Sequence, residues 1–149
     1  PGFLFAVHFD GDNKRTMLSQ KACHAHLAIS PDSRWLVGGE DADYVIWDTK
    51  TWKQVIRLPA GLSESVRGSA AFSPDGRLLA LQTENGQIRL LHSGKWDEVL
   101  TLTPPQQLSF ERMTFSPDGR HLYSTGDKAL RRWDISQLHA ELKTLGIGW

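Results

Sequence analysis

Three groups of residues in this 149-residue chain have types and spacings that chemistry could use. Cys23, His24 and His26, in the run KACHAH, are zinc-ligand types. Side chains alternate along a strand, so His24 and His26 would share one face. A zinc site needs three or four ligands, and no spacing elsewhere supplies the rest. These residues therefore read as an ordinary strand, and neither a metal nor any other cofactor is expected. Ser30, Ser73 and Ser116 each stand two residues before an aspartate, with His92 and His121 elsewhere as the nearest thing to bases. A nucleophilic serine needs one base and one oxyanion site built around it. The third group is acidic: Glu40, Asp41, Asp43, Glu84 and Asp127 fall in short polar stretches between apolar runs.

The serines decide between these options because they recur. Ser30-Pro31-Asp32-Ser33, Ser73-Pro74-Asp75-Gly76 and Ser116-Pro117-Asp118-Gly119 are spaced by 43 residues both times. A fixed period in this range marks a repeat architecture, whereas an active-site loop is needed only once. Serine, proline, aspartate and glycine in that order suit a type I turn, in which proline presets φ and the polar side chains bond nearby backbone N–H groups. Ser33 takes the glycine's place in the first copy, which a type I turn tolerates. Each turn lies between two short apolar runs, so it joins two antiparallel strands. A polar turn holding the acidic residues comes after the second strand. Next come a third strand (YVIWD, QIRLLH, ALRRWD) and, in two copies, a fourth (KQVIRL, DEVLTL). Four short strands per period fit the blade of a propeller.

Two of the third strands end in Trp47-Asp48 and Trp133-Asp134. With the SPDG turns and the period, the chain from about Ala25 to Ser136 resembles the WD-repeat β-propeller family. In the middle copy Leu91-His92 replaces the dipeptide after a one-residue insertion. Asp41 and Asp127, six residues before their tryptophans, match the aspartate of the polar network that the family builds in each blade. Thr83 and Thr125 match its hydroxyl; Gly39 does not, and no Gly-His precedes any SPD turn. The resemblance implies an all-β fold, a partial propeller of about three four-stranded antiparallel blades plus a short C-terminal helix. It also implies a protein-interaction scaffold with no chemistry of its own. The face carrying Glu40, Asp41, Asp43, Glu84 and Asp127 would be the partner-binding face. The loops 59–67 and 103–109 would share it.

The expected units are 1–24, the end of a preceding blade or its remnant; 25–66 and 67–109, blades; 110–135, a blade lacking its own outer strand; and 136–149, a helix and tail. In the first unit Phe3–Phe9 and Lys14–Ser19 read as the last two strands of a blade, although VHFDGDNKRTML also imitates a first hairpin. In the last unit Leu138, Leu142 and Leu145 lie on one face of a helix. Ser136 or Asp134 would cap its start and Gly146 its end. Trp52 and Trp96, at equivalent places after the third strands, are expected to cover outer sheet edges.

Three units are too few to close a ring, and an open stack exposes strand edges. The chain is therefore expected to be part of a larger propeller, to assemble with further copies, or to be capped by another chain. The ending RRWDISQLHAELKTLGIGW also resembles the end of WD-repeat regions in large bacterial proteins, some fused to kinases. The alternative function is thus a sensor or docking module of a signalling enzyme such as a Ser/Thr kinase. With 17 basic and 17 acidic residues, formal charge is zero, and nothing indicates a phosphate-binding surface or a nucleic-acid partner. No apolar run is long enough to span a membrane. One cysteine excludes an internal disulfide and fits a reducing, cytoplasmic compartment.

Overall fold

A computed structural model describes residues 2–7, 14–22, 27–61, 68–83, 86–104, 112–126 and 128–146. The first sheet contains β1 (Gly2–Val7), β2 (Arg15–Ala22), β3 (Ala28–Ile29), β4 (Trp35–Glu40), β5 (Asp43–Asp48) and β6 (Lys53–Pro59). Its order is β1-β2-β4-β5-β6, with β3 also on β4. The β1–β2 hairpin joins β4 at the pair Ala22↔Glu40. The second sheet runs β10-β9-β8-β7, from β7 (Ala70–Phe72), β8 (Leu78–Gln82), β9 (Ile88–His92) and β10 (Glu98–Leu102). The third has β11 (Arg112–Phe115), β12 (His121–Gly126) and β13 (Ala129–Asp134), and α1 (Ile135–Thr144) comes after it. Every strand pairing is antiparallel.

The second sheet is buried on both faces, which explains why LLALQ lacks polar alternation. On one face Leu79, Leu81 and Leu91 meet Trp35, Val37, Tyr44 and Ile46 of the first sheet. On the other, Leu78, Ala80, Ile88 and Leu90 meet Met113, Phe115 and Leu122 of the third. These two apolar interfaces are the core. At about 25 cal/mol per Å² of apolar area removed from water, they are the main stabilising contribution.

The three SPD segments are copies of one hydrogen-bonded turn. Ser30, Ser73 and Ser116 Oγ donate to Asp32, Asp75 and Asp118 Oδ1 at 2.5, 2.6 and 2.5 Å. The same hydroxyls accept the N–H of Trp35, Leu78 and His121, each at 2.9 Å. The aspartates in turn accept the N–H of Arg34, Arg77 and Arg120. The fourth turn residue has positive φ in every copy: Ser33 58°, Gly76 71°, Gly119 70°. Ser33 is therefore not simply tolerated. It holds a left-handed conformation that glycine adopts without steric cost.

The WD aspartates direct the chain as it leaves the third strand. Asp48 Oδ1 accepts the N–H of Lys50 and Thr51, and Trp52 at φ 55° turns the chain back into β6. Asp134 instead caps α1, accepting the N–H of Gln137 at 2.8 Å and the Ser136 hydroxyl. Four residues after Asp134 stands Leu138, which is helical and packs on the core between the second and third sheets. Of the two caps the sequence offers, Asp134 is the one used. The helix stops at Leu145, and Gly146 comes next at φ 74°.

Candidate interaction surface

The turn between β4 and β5 brings Glu40, Asp41 and Asp43 together, and each finds a basic partner within its own sheet. Arg57 of β6 pairs with Glu40 and, at 3.4 Å, with Asp43. Glu40 also accepts the Ser19 hydroxyl of β2 at 2.6 Å. Only 13% of its side chain is exposed, so it serves to tie β2, β4 and β6 together. Asp41, at φ 52°, pairs with Lys21 at 3.4 Å; both side chains are more than half exposed. Glu84 and Asp127 lie outside the described residues, as do Cys23, His24 and His26 and most of the loops 59–67 and 103–109. No group of three or more metal-ligating side chains occurs among the described residues.

The equivalent end of the second sheet carries Arg89. Its guanidinium donates to the Pro59 carbonyl of the first sheet at 2.8 Å and pairs with Glu98 at 2.8 Å. The Thr101 hydroxyl and Arg89 hold the Glu98 carboxyl below its usual range against partial burial.

At the opposite end of the strands lie the SPD turns and the WD aspartates. The Ser30 hydroxyl and the Arg34 N–H lower the Asp32 carboxyl, and the Ser116 hydroxyl and Arg120 N–H lower Asp118. Backbone N–H groups lower Asp48 (from Thr51) and Asp134 (from Gln137). His92 replaces the WD aspartate and bonds Asp97 at 2.8 Å through Nδ1, which lowers the Asp97 carboxyl. His121 stands 3.8 Å from Asp134. These groups stabilise turns, and each turn serine's hydroxyl bonds the aspartate of its own turn.

Two residues depart from or escape the sequence reading. Trp96 does not cover a sheet edge. It is 8% exposed and meets Trp35 edge to face, with ring centroids 5.3 Å apart, inside the interface of the first two sheets. Trp52, at the same turn position, is half-buried. Ser69, which carries no motif signal, joins all three sheets. Its carbonyl accepts the Tyr44 hydroxyl and the Gln82 N–H, each at 3.0 Å, and its Oγ accepts the Met113 N–H at 2.9 Å. Its counterparts 43 residues away are His26 and Arg112, so no repeat pattern marks it.

The family description "WD domain, G-beta repeat" matches residues 18–48 and 96–134. The second match begins before β10 and ends with β13, so one sequence repeat spans the outer strand of one sheet and three strands of the next. DNA damage-binding protein 2 of Mus musculus is 28% identical over 116 residues, 76% of this chain and 27% of that protein. SEC12-like protein 2 of Arabidopsis thaliana is 37% identical over 68 residues, 44% of this chain and 16% of that protein. The chain thus spans about a quarter or less of these curated relatives. The crystal structure of the RRP9 WD40 repeats superposes with a TM-score of 0.68 at 20% identity, covering 80% of this chain and 37% of that one. With three antiparallel sheets, repeated SPD turns and two segments that match the WD repeat, this chain has the fold of a WD-repeat β-propeller.

Proposed function

We propose that this chain is part of a protein-interaction scaffold with no chemistry of its own. The observation that supports this reading is the second sheet, whose two faces are both consumed in packing. Turns and connections are then what a partner can reach, and propellers place their variable residues there. The docking rim is the end bearing Glu40, Asp41 and Asp43, with Glu84 and Asp127 at the equivalent turns, and its partner is a basic segment of another protein. Asp41 is the best placed of these, because its ion pair with Lys21 is solvent-exposed and such pairs contribute little. A labelled arginine-rich peptide tests the rim by fluorescence anisotropy. Binding that Asp41→Lys weakens supports it; binding indifferent to Asp41→Lys refutes it.

The second class of partner is further propeller blades, in the same polypeptide or in another copy. Leu27, Ile29 and Val55 are 52%, 58% and 45% exposed. By strand alternation they lie on the face of the first sheet turned away from the second. DNA damage-binding protein 2 and SEC12-like protein 2 come from eukaryotes and neither is named as a kinase, so they lend no support to a sensor module of a bacterial signalling enzyme.

A further inference from the structure

An arginine follows each SPD turn, and its guanidinium is the polar side-chain group that the turn does not use. Arg34, Arg77 and Arg120 recur at intervals of 43 residues. Each donates its backbone N–H to the aspartate of its own turn. The side chains stand outside the turn. Arg77 and Arg120 Nε lie 3.9 and 4.0 Å from Asp75 and Asp118 Oδ2, beyond hydrogen-bond reach, with 77% and 71% of their side chains exposed. The aspartates are committed elsewhere, since Oδ1 of each takes both the serine hydroxyl and the arginine N–H. Arg34 is exposed and lies over the Trp35 ring, 4.4 Å from its centroid, and Trp35 is braced edge to face by Trp96.

The three turns stand shoulder to shoulder. A Cβ added at Gly76 would lie 3.8 Å from Pro31 Cδ, and one at Gly119 would lie 3.7 Å from Pro74 Cδ. The two intervals are therefore alike, and the arginines form a row beside the exposed Pro31, Pro74 and Pro117. Equivalent points on packed sheets are about 10 Å apart. A polyproline II helix has three residues per turn at about 3.1 Å each, so one of its edges presents a side chain about every 9 Å. A β-strand does not match this interval, because its residues three apart point to opposite sides. Blades on either side would lengthen the row rather than cover it, since the turns lie at the strand ends.

We propose that Arg34, Arg77 and Arg120 form a docking row for a proline-rich acidic segment of another protein, held as polyproline II with a carboxylate at every third residue. Each carboxylate meets one guanidinium in a charge-assisted hydrogen-bonded pair, and the segment's prolines lie against the turn prolines. Such a segment is ordered before it binds, so docking costs little entropy. One exposed pair contributes little, and binding depends on several pairs in register. Asp48, Asp97 and Asp134 share this end of the strands, each bonded within its own turn or cap, and they disfavour an unspaced run of negative charge. The row is independent of the acidic rim, which lies at the other end of the strands and would select basic segments.

The test uses the full chain and a fluorescein-labelled peptide of three Glu-Pro-Pro triplets, followed by anisotropy at low salt. Its isomer with the three glutamates adjacent, and an oligo-dT strand, serve as comparisons. The expected result is saturable, salt-sensitive binding of the spaced peptide, at least about fivefold tighter than its isomer. Arg77→Glu, in the middle of the row, should remove that preference without moving the urea midpoint. Arg77→Lys should weaken binding and keep the preference, because the charge stays in place while the paired geometry is lost. Arg112→Glu, at the opposite end of the strands, should leave binding unchanged. No saturable binding, equal binding of the two isomers, a preference that survives Arg77→Glu, or oligo-dT binding that depends on Arg77 and exceeds that of the peptide would each overturn the proposal.

Discussion

The Ser69 hydroxyl accepts the backbone N–H of Met113 at 2.9 Å, across a separation of 44 residues. The second and third sheets are thus joined by a polar contact at the margin of an apolar interface, and Ser69 is 2% exposed. Ser69→Ala removes the acceptor and leaves a buried N–H without one. The expected loss is about 1–3 kcal/mol. Urea unfolding checks it, and an unchanged midpoint would show that water replaces the hydroxyl.

The two turn tryptophans should behave differently although they occupy equivalent places. Trp96 is in the core against Trp35, so Trp96→Ala should cost about 3 kcal/mol from lost burial and the cavity left behind. Trp52 is half-buried, and it shares with Trp96 a left-handed backbone, at φ 55° and 66°. In Trp52→Gly, relief of a left-handed side-chain conformation offsets lost contacts, and the net change should stay within about 1 kcal/mol. Thermal midpoints of the two variants compare them directly. A larger loss at Trp52 than at Trp96 would contradict the assignment.

The difference between these tryptophans also marks the limit of what local sequence encodes. Repeat spacing, SPD turns and apolar runs make the sheets legible, because hydrogen bonds between residues two to five apart are local. The helix after Asp134 is legible for the same reason. Trp96 is misjudged from sequence because burial at a turn depends on which neighbouring sheet covers it, and that is not local. Ser69 is invisible because its three partners, Tyr44, Gln82 and Met113, come from three different sheets. The acidic turn is visible as charge, but its neutralisation by Arg57 and Lys21 depends on strand register and on a hairpin attached through a single pair, Ala22↔Glu40.

The fourth position of the SPD turn gives an opposed pair of outcomes. Ser33→Gly should stabilise the chain by about 0.5–1 kcal/mol, since glycine adopts positive φ freely but costs more entropy to order. Gly119→Ala should destabilise it by about 1 kcal/mol. An added Cβ there would stand 3.7 Å from Pro74 Cδ, an ordinary contact, so the cost is conformational rather than steric. Chemical denaturation of both variants measures the two signs; two losses of equal size would contradict the conformational account.

Acid should weaken the fold through its turn carboxylates. The folded state lowers Asp32 and Asp118 through the turn serines and arginine N–H groups, Asp48 and Asp134 through backbone N–H groups, and Asp97 through His92. A carboxyl lowered in the folded state binds its proton more readily when unfolded. Its contribution is therefore complete above the unfolded carboxyl pKa of about 3.9 and is lost as pH falls from there through the lowered folded value. Urea midpoints should change little with carboxyl titration between about pH 5 and 7, then fall below about pH 4. Asp118→Asn retains a carbonyl oxygen for the Ser116 hydroxyl and the Arg120 N–H but no longer titrates. Its stability should be lower than that of the parent at pH 7, with a shallower acid limb. An acid limb as steep as the parent's would mean that the charge on Asp118 does not contribute to the turn.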